Sequence, residues 1–580
     1  MPSRGGAGVG TGADAPALSK DERLQRLVQR VRSSSADAAG ALADMRDNES
    51  RVAIARAGGI VPLVALLTAQ DPAARAEAAR ALRSLAINAE NNVLIVQAGA
   101  IAPLVTLVQS GTADQKEQAA GALRNLAINA ENQVLIAQAG AIAPLVTLVQ
   151  SGTDGQKEQA AGALANLVLH AENEVLIVQA GAIAPLVTLV QSGTDGQKEN
   201  AADALANLAT NAENEVLIVQ AGAIAPLVTL VQSGTDGQRE QAAAALRNLA
   251  TNAENQVLIA QAGAIAPLVT LVQSGTDGQK EQAAGALWSL AINAENNVLI
   301  AQAGAIAPLV TLVQSDTAGQ KENAAGALLN LAINAENNVL IAQAGAIAPL
   351  VTLVQSGTAG QKEQAAGALR NLADHAENEV LIAQAGAIAP LVTLVQSGTD
   401  GQKENAADAL ANLAINAENE VLIVQAGAIA PLVTLVRSGT DGQKENAAGA
   451  LRNLAINAEN QVLIAQAGAI APLVTLVQSG TAGQKEHAAG ALRNLAFKNA
   501  ENQVLIVQAG AIAPLVTLVQ SGTDGQKEQA AGALGNLADN NAENKVLIAQ
   551  AGRHVARRLF APLEQHAPVR PSFVLLRSLL

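Results

Sequence analysis

Cysteine and tyrosine are both absent from the 580 residues, and the remaining aromatics are three Phe and one Trp. Without cysteine there is no disulfide, no thiolate metal site, no cysteine nucleophile and no redox clue to compartment. Large globular cores draw on aromatics, which bury the most area per residue. Nearly half of this chain is nonetheless apolar, so its core must be built from Ala, Leu, Val and Ile, in thin layers of closely spaced helices. Apolar runs stop at about eight or nine residues, short of the roughly twenty that span a bilayer as a helix. Positive charge is scarce too: 36 Lys and Arg against 50 Asp and Glu leave a formal net charge of −14. That disfavours nucleic acid and anionic membrane, both of which call for a basic surface. The first twenty residues are rich in Gly and Ala with no apolar core, so no signal peptide is expected. Pro2 stands where N-myristoylation requires glycine. The expectation is a soluble, cytoplasmic protein. A nuclear location, or peripheral recruitment to a membrane by a partner, is left open. No cofactor, small-molecule substrate or direct membrane insertion is expected.

What is present is a repeat. AGAIAPLVTLVQSG returns almost unchanged, and its proline recurs from Pro62 to Pro514 in steps of 41 residues, the last being 42. That marks twelve full repeats and a solenoid, because self-similarity at such a period is the signature of stacked units. Residues 171–211 serve as the example. A first helix over 171–180 ends at Gly181, since glycine enters the left-handed region freely. A second helix follows with Pro185 in its first turn, where the missing N–H does no harm. It stops at Ser192-Gly193, and Thr194 with Gln197 forms a capping box for a third helix. Three helices in 41 residues predict an all-α, right-handed superhelix of stacked triplets.

The pattern N-x-x-x-I-x-x-A-G, then A-I-x-P-L-V-x-L, then A-x-x-A-L-x-N-L-A resembles the armadillo repeat over residues 48–552. Its wording is most similar to fungal vacuolar and plant and algal armadillo proteins, with β-catenin-like and importin-α-like proteins more distant. The resulting division is a disordered segment over 1–19, shortened capping helices over 20–46 and twelve repeats over 47–540. The first helix of a partial thirteenth repeat occupies 541–552, and a divergent tail occupies 553–580. That tail reads equally as a cap, an interaction segment or a faulty gene model.

On the third helix, Ala119, Ala120, Ala122, Leu123, Leu126 and Ala127 share one face at helical spacing and are assigned to the core. Gln118, Gly121, Arg124, Asn125 and Ile128 form the opposite stripe, and this stripe varies between repeats. Variation above a fixed core suits recognition rungs; the alternative is drift on a solvent face, since a first-helix position expected to be exposed (Asn92, Gln133, Glu174, Lys545) varies as well. The asparagine itself recurs as Asn125, Asn166, Asn207, Asn248, Asn330, Asn371, Asn412, Asn453, Asn494 and Asn536, with Ser84 and Ser289 in two repeats. A primary amide offers donors and an acceptor together, so a column of them can read an extended backbone. The armadillo resemblance implies that role on the concave face. Bonding only to a neighbouring helix is the alternative.

Packed helices sit about 8–10 Å apart and an extended chain advances about 3.3–3.6 Å per residue, so about two to three ligand residues would pass each rung. Arg83, Arg124, Arg247, Arg370, Arg452 and Arg493 precede the asparagine position and would favour acidic or phosphorylated segments, unless solvated or paired to nearby glutamates. Trp288 takes the same position in its repeat and joins the candidate ligand contacts. Importin-α-like proteins carry Trp four residues before the asparagine; here that place holds Gly121, Gly162, Gly285 and their equivalents, or Asp203, Ala244 and Asp408. Nuclear-import cargo is therefore not expected. The mid-helix glycines would admit a close ligand, or are simply copied.

No catalytic constellation is found: the five histidines have no second ligand at metal spacing, and no phosphate loop, GxSxG or HExxH occurs. The expected function is a non-enzymatic scaffold holding extended segments of other proteins. The alternatives are substrate recognition beside a separate ubiquitin ligase, and a structural spacer with no groove ligand.

Overall fold

The computed structural model describes residues 19–560. The regular elements among them are 39 α-helices. The chain divides into two compact units, residues 1–268 and 269–580, and the same triplet recurs in each.

In the example repeat the helices are Ala171–Gln179, Ile183–Ser192 and Asp195–Leu208. Gly181, at φ +76°, ends the first: its N–H bonds to the Val178 carbonyl and that of Ala182 to Ile177, which satisfies two terminal carbonyls. Across this turn the first and second helices of the repeats bend by 81–85°. The capping box forms as expected. Thr194 Oγ1 accepts from the Gln197 N–H, and Gln197 Oε1 accepts from the Thr194 N–H. Gln197 Nε2 then donates to the Asp154 carbonyl of the preceding repeat at 2.9 Å, so one side chain caps its helix and joins two repeats.

Third helices pack on third helices and second on second within each unit. Ala201, Ala202, Leu205 and Leu208 are fully buried. Alanine at the crossings lets the backbones approach closely, which is why the chain needs so few aromatics.

At the N-terminal end, α1 (Lys20–Arg32) and α2 (Ala36–Ala43) lie where a second and a third helix would. Only α2 is shortened; α1, at 13 residues, exceeds the usual ten-residue second helix. At the other end the helix expected to break at Gly552 runs from Ala542 to Phe560 and packs on the second and third helices of repeat twelve. Nothing after Gly552 stops it, because Arg553 to Phe560 contains neither Pro nor Gly. Residues 1–18 and 561–580, which hold most of the expected disordered segment and tail, lie outside the described residues. The added residue of the 42-residue step is absorbed by Lys498, at φ +51°, after a third helix extended to Ala482–Ala496.

Repeat seven departs from the pattern. Asp316 replaces the glycine before the capping threonine. At the equivalent glycines an added Cβ would lie 2.5–2.7 Å from a leucine carbonyl oxygen. The second helix there shortens to Ile306–Leu312, Thr317 makes no side-chain cap, and its buried hydroxyl has no partner.

Candidate ligand-binding face

The third helix turns one stripe outward. In repeat three it reads Asp154, Glu158, Gly162, Asn166 and Leu169, at spacings that keep all five on one side of the helix. Asp154 and Leu169 are exposed, Glu158 and Asn166 half-buried, and Gly162 buried.

Each of the ten expected asparagines is on this stripe and holds a neighbour. The Nδ2 of Asn125, Asn166, Asn207, Asn248, Asn330, Asn371, Asn412, Asn453 and Asn494 donates to the carbonyl 42 residues earlier at 2.8–3.3 Å. Asn536 does the same to Arg493. The accepting carbonyl belongs to the last turn of the preceding third helix, where the helix supplies too few donors of its own. The amide is thus an inter-repeat staple. The staple uses one N–H; the second N–H and Oδ1 of Asn125, Asn166, Asn248, Asn330, Asn453, Asn494 and Asn536 have no further partner among the described residues. Three others are more occupied: Asn207 and Asn412 also donate to Asp203 and Asp374, and Asn371 Oδ1 accepts from Arg370.

The arginines do not stand out into solvent. Arg124 lies over Gly162, where an added Cβ would meet its Nε at 2.5 Å, and its Nη2 donates to Asn200 two repeats on. Arg83, Arg452 and Arg493 lie over Gly121, Gly490 and Gly532 in the same way, and the Trp288 ring lies over Gly326. Arg83 and Arg493 donate to Gln118 and Gln529, and Arg370 to Asn405, with Asp408 at 3.7 Å. Arg247, also among the expected contacts, is half-buried on the same stripe.

The mid-helix glycines Gly121, Gly162, Gly326, Gly490 and Gly532 therefore make room for the preceding repeat's large side chain, whereas Gly449, which follows Ala411, has none to seat. Where that side chain is Ala165 or Ala206, the next repeat carries Asp203 or Ala244 instead of glycine. Part of the variation first read as recognition is thus correlated packing, although Arg370 is followed by Asp408 and Ala411 by Gly449. Asn200, Asn323, Asn405 and Asn446, replacing glutamine, each add another bond to the preceding repeat.

A second expectation is corrected at the first helix. Asn92 and Gln133 are buried, not exposed, and donate to the Ala86 and Ala127 carbonyls. Glu174 is half-buried at the same position. Only Lys545, in the last helix, is exposed. Sequence reading missed this position because its polar residues satisfy helix-end carbonyls inside the stack, and a polar residue in an amphipathic pattern reads as solvent-facing.

Burial pushes the carboxyls of Asp203 and Asp408 above the ordinary range, opposed by Arg124 and the Asn207 bond for Asp203, and by Arg370 for Asp408. Burial likewise raises Glu379 and Glu420 in first helices. No group of three or more His, Asp or Glu among the described residues could hold a metal ion. No single described helix is long and apolar enough to cross a membrane.

The model of the plant U-box protein ARM repeat region matches residues 64–332 and 295–554. No curated protein matches the chain, so the closer likeness to the fungal vacuolar scaffold gains no support. The crystal structure of an engineered protein from a structural genomics consortium is 34% identical, covering 68% of this chain and 98% of its own, at a TM-score of 0.61. A structure from work on a phosphorylation switch controlling the interaction between cadherin and β-catenin is 18% identical, covering 82% and 99%, also at 0.61; it is similar in fold.

Proposed function

Because this chain belongs to the armadillo-repeat family, we propose that it is a scaffold that binds extended segments of partner proteins along the exposed faces of its third helices. The observation that carries this reading is the column of half-buried amides at Asn125, Asn166, Asn248, Asn330, Asn453, Asn494 and Asn536, each with one N–H fixed to the fold and its remaining N–H and Oδ1 uncommitted among the described residues. A bond donated to the preceding helix pre-orients the amide, so a passing peptide group meets a donor and an acceptor that need no further ordering. The arginines support an acidic or phosphorylated ligand less than their sequence positions suggest, since Arg83, Arg370 and Arg493 already donate to side chains of the next repeat. Lysine-slot recognition of nuclear-import type also lacks its furniture: Trp288 lies on Gly326 and is the chain's single Trp.

The test separates the two jobs of the amide. Asn371 is buried, with its Oδ1 bonded to Arg370, whereas Asn330 and Asn453 keep theirs uncommitted. Each substitution to Ala removes a staple and should cost about 0.5–1.5 kcal/mol of local stability. Partner proteins captured from native lysate and read by mass spectrometry should be lost from the Asn330→Ala/Asn453→Ala variant and retained by Asn371→Ala. Equal retention by both would move the site off this face.

A second reading has its own observation: the matched model is that of the repeat region of plant U-box proteins. In it the bound segment belongs to a substrate presented to a separate ubiquitin ligase. Ligase subunits among the captured proteins would favour this reading.

A further inference from the structure

Both ends of the outward stripe are specialised, and in opposite senses. Toward the helix N-termini stand acids. Glu117, Glu158 and Glu199 in the first unit, and Glu322 and Glu404 in the second, make no close ion pair among the described residues. Arg83 nonetheless lies in the field of Glu117 and Glu158, and Glu158 accepts from Gln159. Asp154 extends the row outward. The Glu158 carboxylate lies against Gly196 of the next repeat and that of Glu404 against Gly442, so the row lies along the stacked helices. Toward the C-termini stand large apolar side chains in the open. Ile87, Ile128 and Leu169 in the first unit, and Ile292, Ile333, Ile415 and Ile456 in the second, are 56–68% exposed, followed by Phe497. The last leucines of the same third helices, such as Leu126, Leu167, Leu290, Leu331 and Leu413, are fully buried, so this exposure is not loose packing. Contiguous exposed apolar side chains rimmed by polar ones mark interaction surfaces.

The amide column runs between these two rows. Glu158 and Asn166 are separated by about 12 Å along the helix, at 1.5 Å rise per residue, and Leu169 stands in the turn just beyond the helix end at Leu167. A strand whose peptide N–H and C=O groups face the amides must send its side chains sideways, because the two sets of groups are perpendicular and successive side chains alternate. Odd residues then point to one rim and even residues to the other.

We infer that the ligand of these faces is an extended segment of a partner protein in which basic residues alternate with branched aliphatic ones. The basic side chains reach the glutamates and the aliphatic ones the Ile and Leu row. Charge complementarity selects the basic member: the row is acidic, its glutamates make no close ion pair among the described residues, and the chain as a whole carries −14. The inference rests on the amide-column reading and adds the ligand's chemistry to it. Thr210, Thr251, Asp374 and Asp539 replace the aliphatic residue at four rungs. These interruptions fix where an aliphatic ligand residue is not accepted.

The experiment titrates the full chain against labelled synthetic peptides of about twelve residues, followed by fluorescence anisotropy. The peptides are alternating Lys-Val, alternating Glu-Val, alternating Lys-Ser, and a block peptide of the Lys-Val composition. Alternating Lys-Val should bind roughly tenfold or more tighter than each of the others, and should weaken between about 50 and about 300 mM NaCl as screened charge pairs do. The variant Ile415→Ser/Ile456→Ser/Phe497→Ser changes only exposed side chains, so it keeps the fold. It should lose roughly tenfold for Lys-Val while leaving Lys-Ser unchanged. Tighter binding of Glu-Val, or equal binding of the block peptide, overturns the alternating basic-aliphatic ligand. Asn330→Ala/Asn453→Ala tests the underlying reading separately: if it binds whichever peptide is preferred as tightly as the parent, the amide column is not the site. Binding of no peptide overturns both.

Discussion

At Gly162 an added methyl carbon would arrive 2.5 Å from Arg124 Nε, whereas at Gly449 the nearest atom is His487 Nδ1 at 3.6 Å, an ordinary contact. Both glycines occupy the same mid-helix position, where glycine is less favourable than alanine by about 0.5–1 kcal/mol. Gly449→Ala should therefore raise the local stability of its third helix by about that amount. Gly162→Ala should bring no gain, because the propensity is offset by pushing Arg124 away from Asn200. Hydrogen exchange in Asp441–Leu454 and Asp154–Leu167 reads the two directly; a gain at both would deny that the glycine exists to seat the arginine. The glycine was visible in the sequence but its reason was not. The side chain that needs the space lies one repeat back, at Arg124, and proximity across 38 residues cannot be read from a single repeat. The pairing of Ala165 with Asp203 and of Ala206 with Ala244 was a partial signal, broken by Arg370 with Asp408 and by Ala411 with Gly449. It required comparing neighbouring repeats rather than aligned ones. The asparagine column shows the converse case: its existence, spacing and outward stripe were legible from sequence, and its bond to the neighbouring helix, there only the alternative to ligand reading, is the one the structure forms.

Helix ends are where this chain was most legible. The Gly181 terminator and the Thr194–Gln197 box were read from local residue types, and the structure forms both, because caps depend on residues within a few positions of each other. Three caps fail, each from one residue, and His375 before Ala376–Gln384 fails as His170 does. His170 stands at the N-cap usually held by asparagine and makes no side-chain cap bond, its buried Nδ1 having no partner. Asp316 replaces a glycine and costs repeat seven its capping box. Replacing His170 or Asp316 by the residue of the other repeats should restore a bond worth about 1 kcal/mol. His170→Asn should slow exchange at the start of Ala171–Gln179, and Asp316→Gly should slow it at the start of Ala318–Leu331. Unchanged exchange in Asp316→Gly would mean that the altered turn has another cause. The long last helix was missed because Gly552 looks like the glycine that ends every first helix. Here no proline stands within the next eight residues, Arg553 to Phe560, so nothing in the described segment forces the chain to bend.

In the whole molecule the same three amides recur as couplings between successive repeats: the capping-box glutamine, the outward asparagine and the buried first-helix asparagine. In repeat ten, Gln443 Nε2 bonds to the Asp400 carbonyl and Asn453 Nδ2 to that of Ala411, both in the preceding third helix. A stack coupled in this way has a stability that is approximately a sum of repeat terms and nearest-neighbour terms. Damage should then stay near its source. Gln443→Ala/Asn453→Ala removes three inter-repeat bonds, two of them sharing the Gln443 Nε2 donor, and opens the Thr440 capping box as well, a loss of about 2–5 kcal/mol at the usual net value of each bond. Amide exchange should quicken roughly tenfold or more in Asp400–Leu413 and Asp441–Leu454. Protection in Asp154–Leu167, far along the chain in the other compact unit, should hold at its parent value. Near-identical repeats also present near-identical docking partners, so a repeat whose couplings are cut can be replaced on refolding by its neighbour in the sequence. The variant should accordingly refold with a smaller recovered fraction than it shows equilibrium destabilisation. If protection instead falls evenly from residue 20 to residue 550, the chain opens as one cooperative body, and the nearest-neighbour account of its stability is wrong.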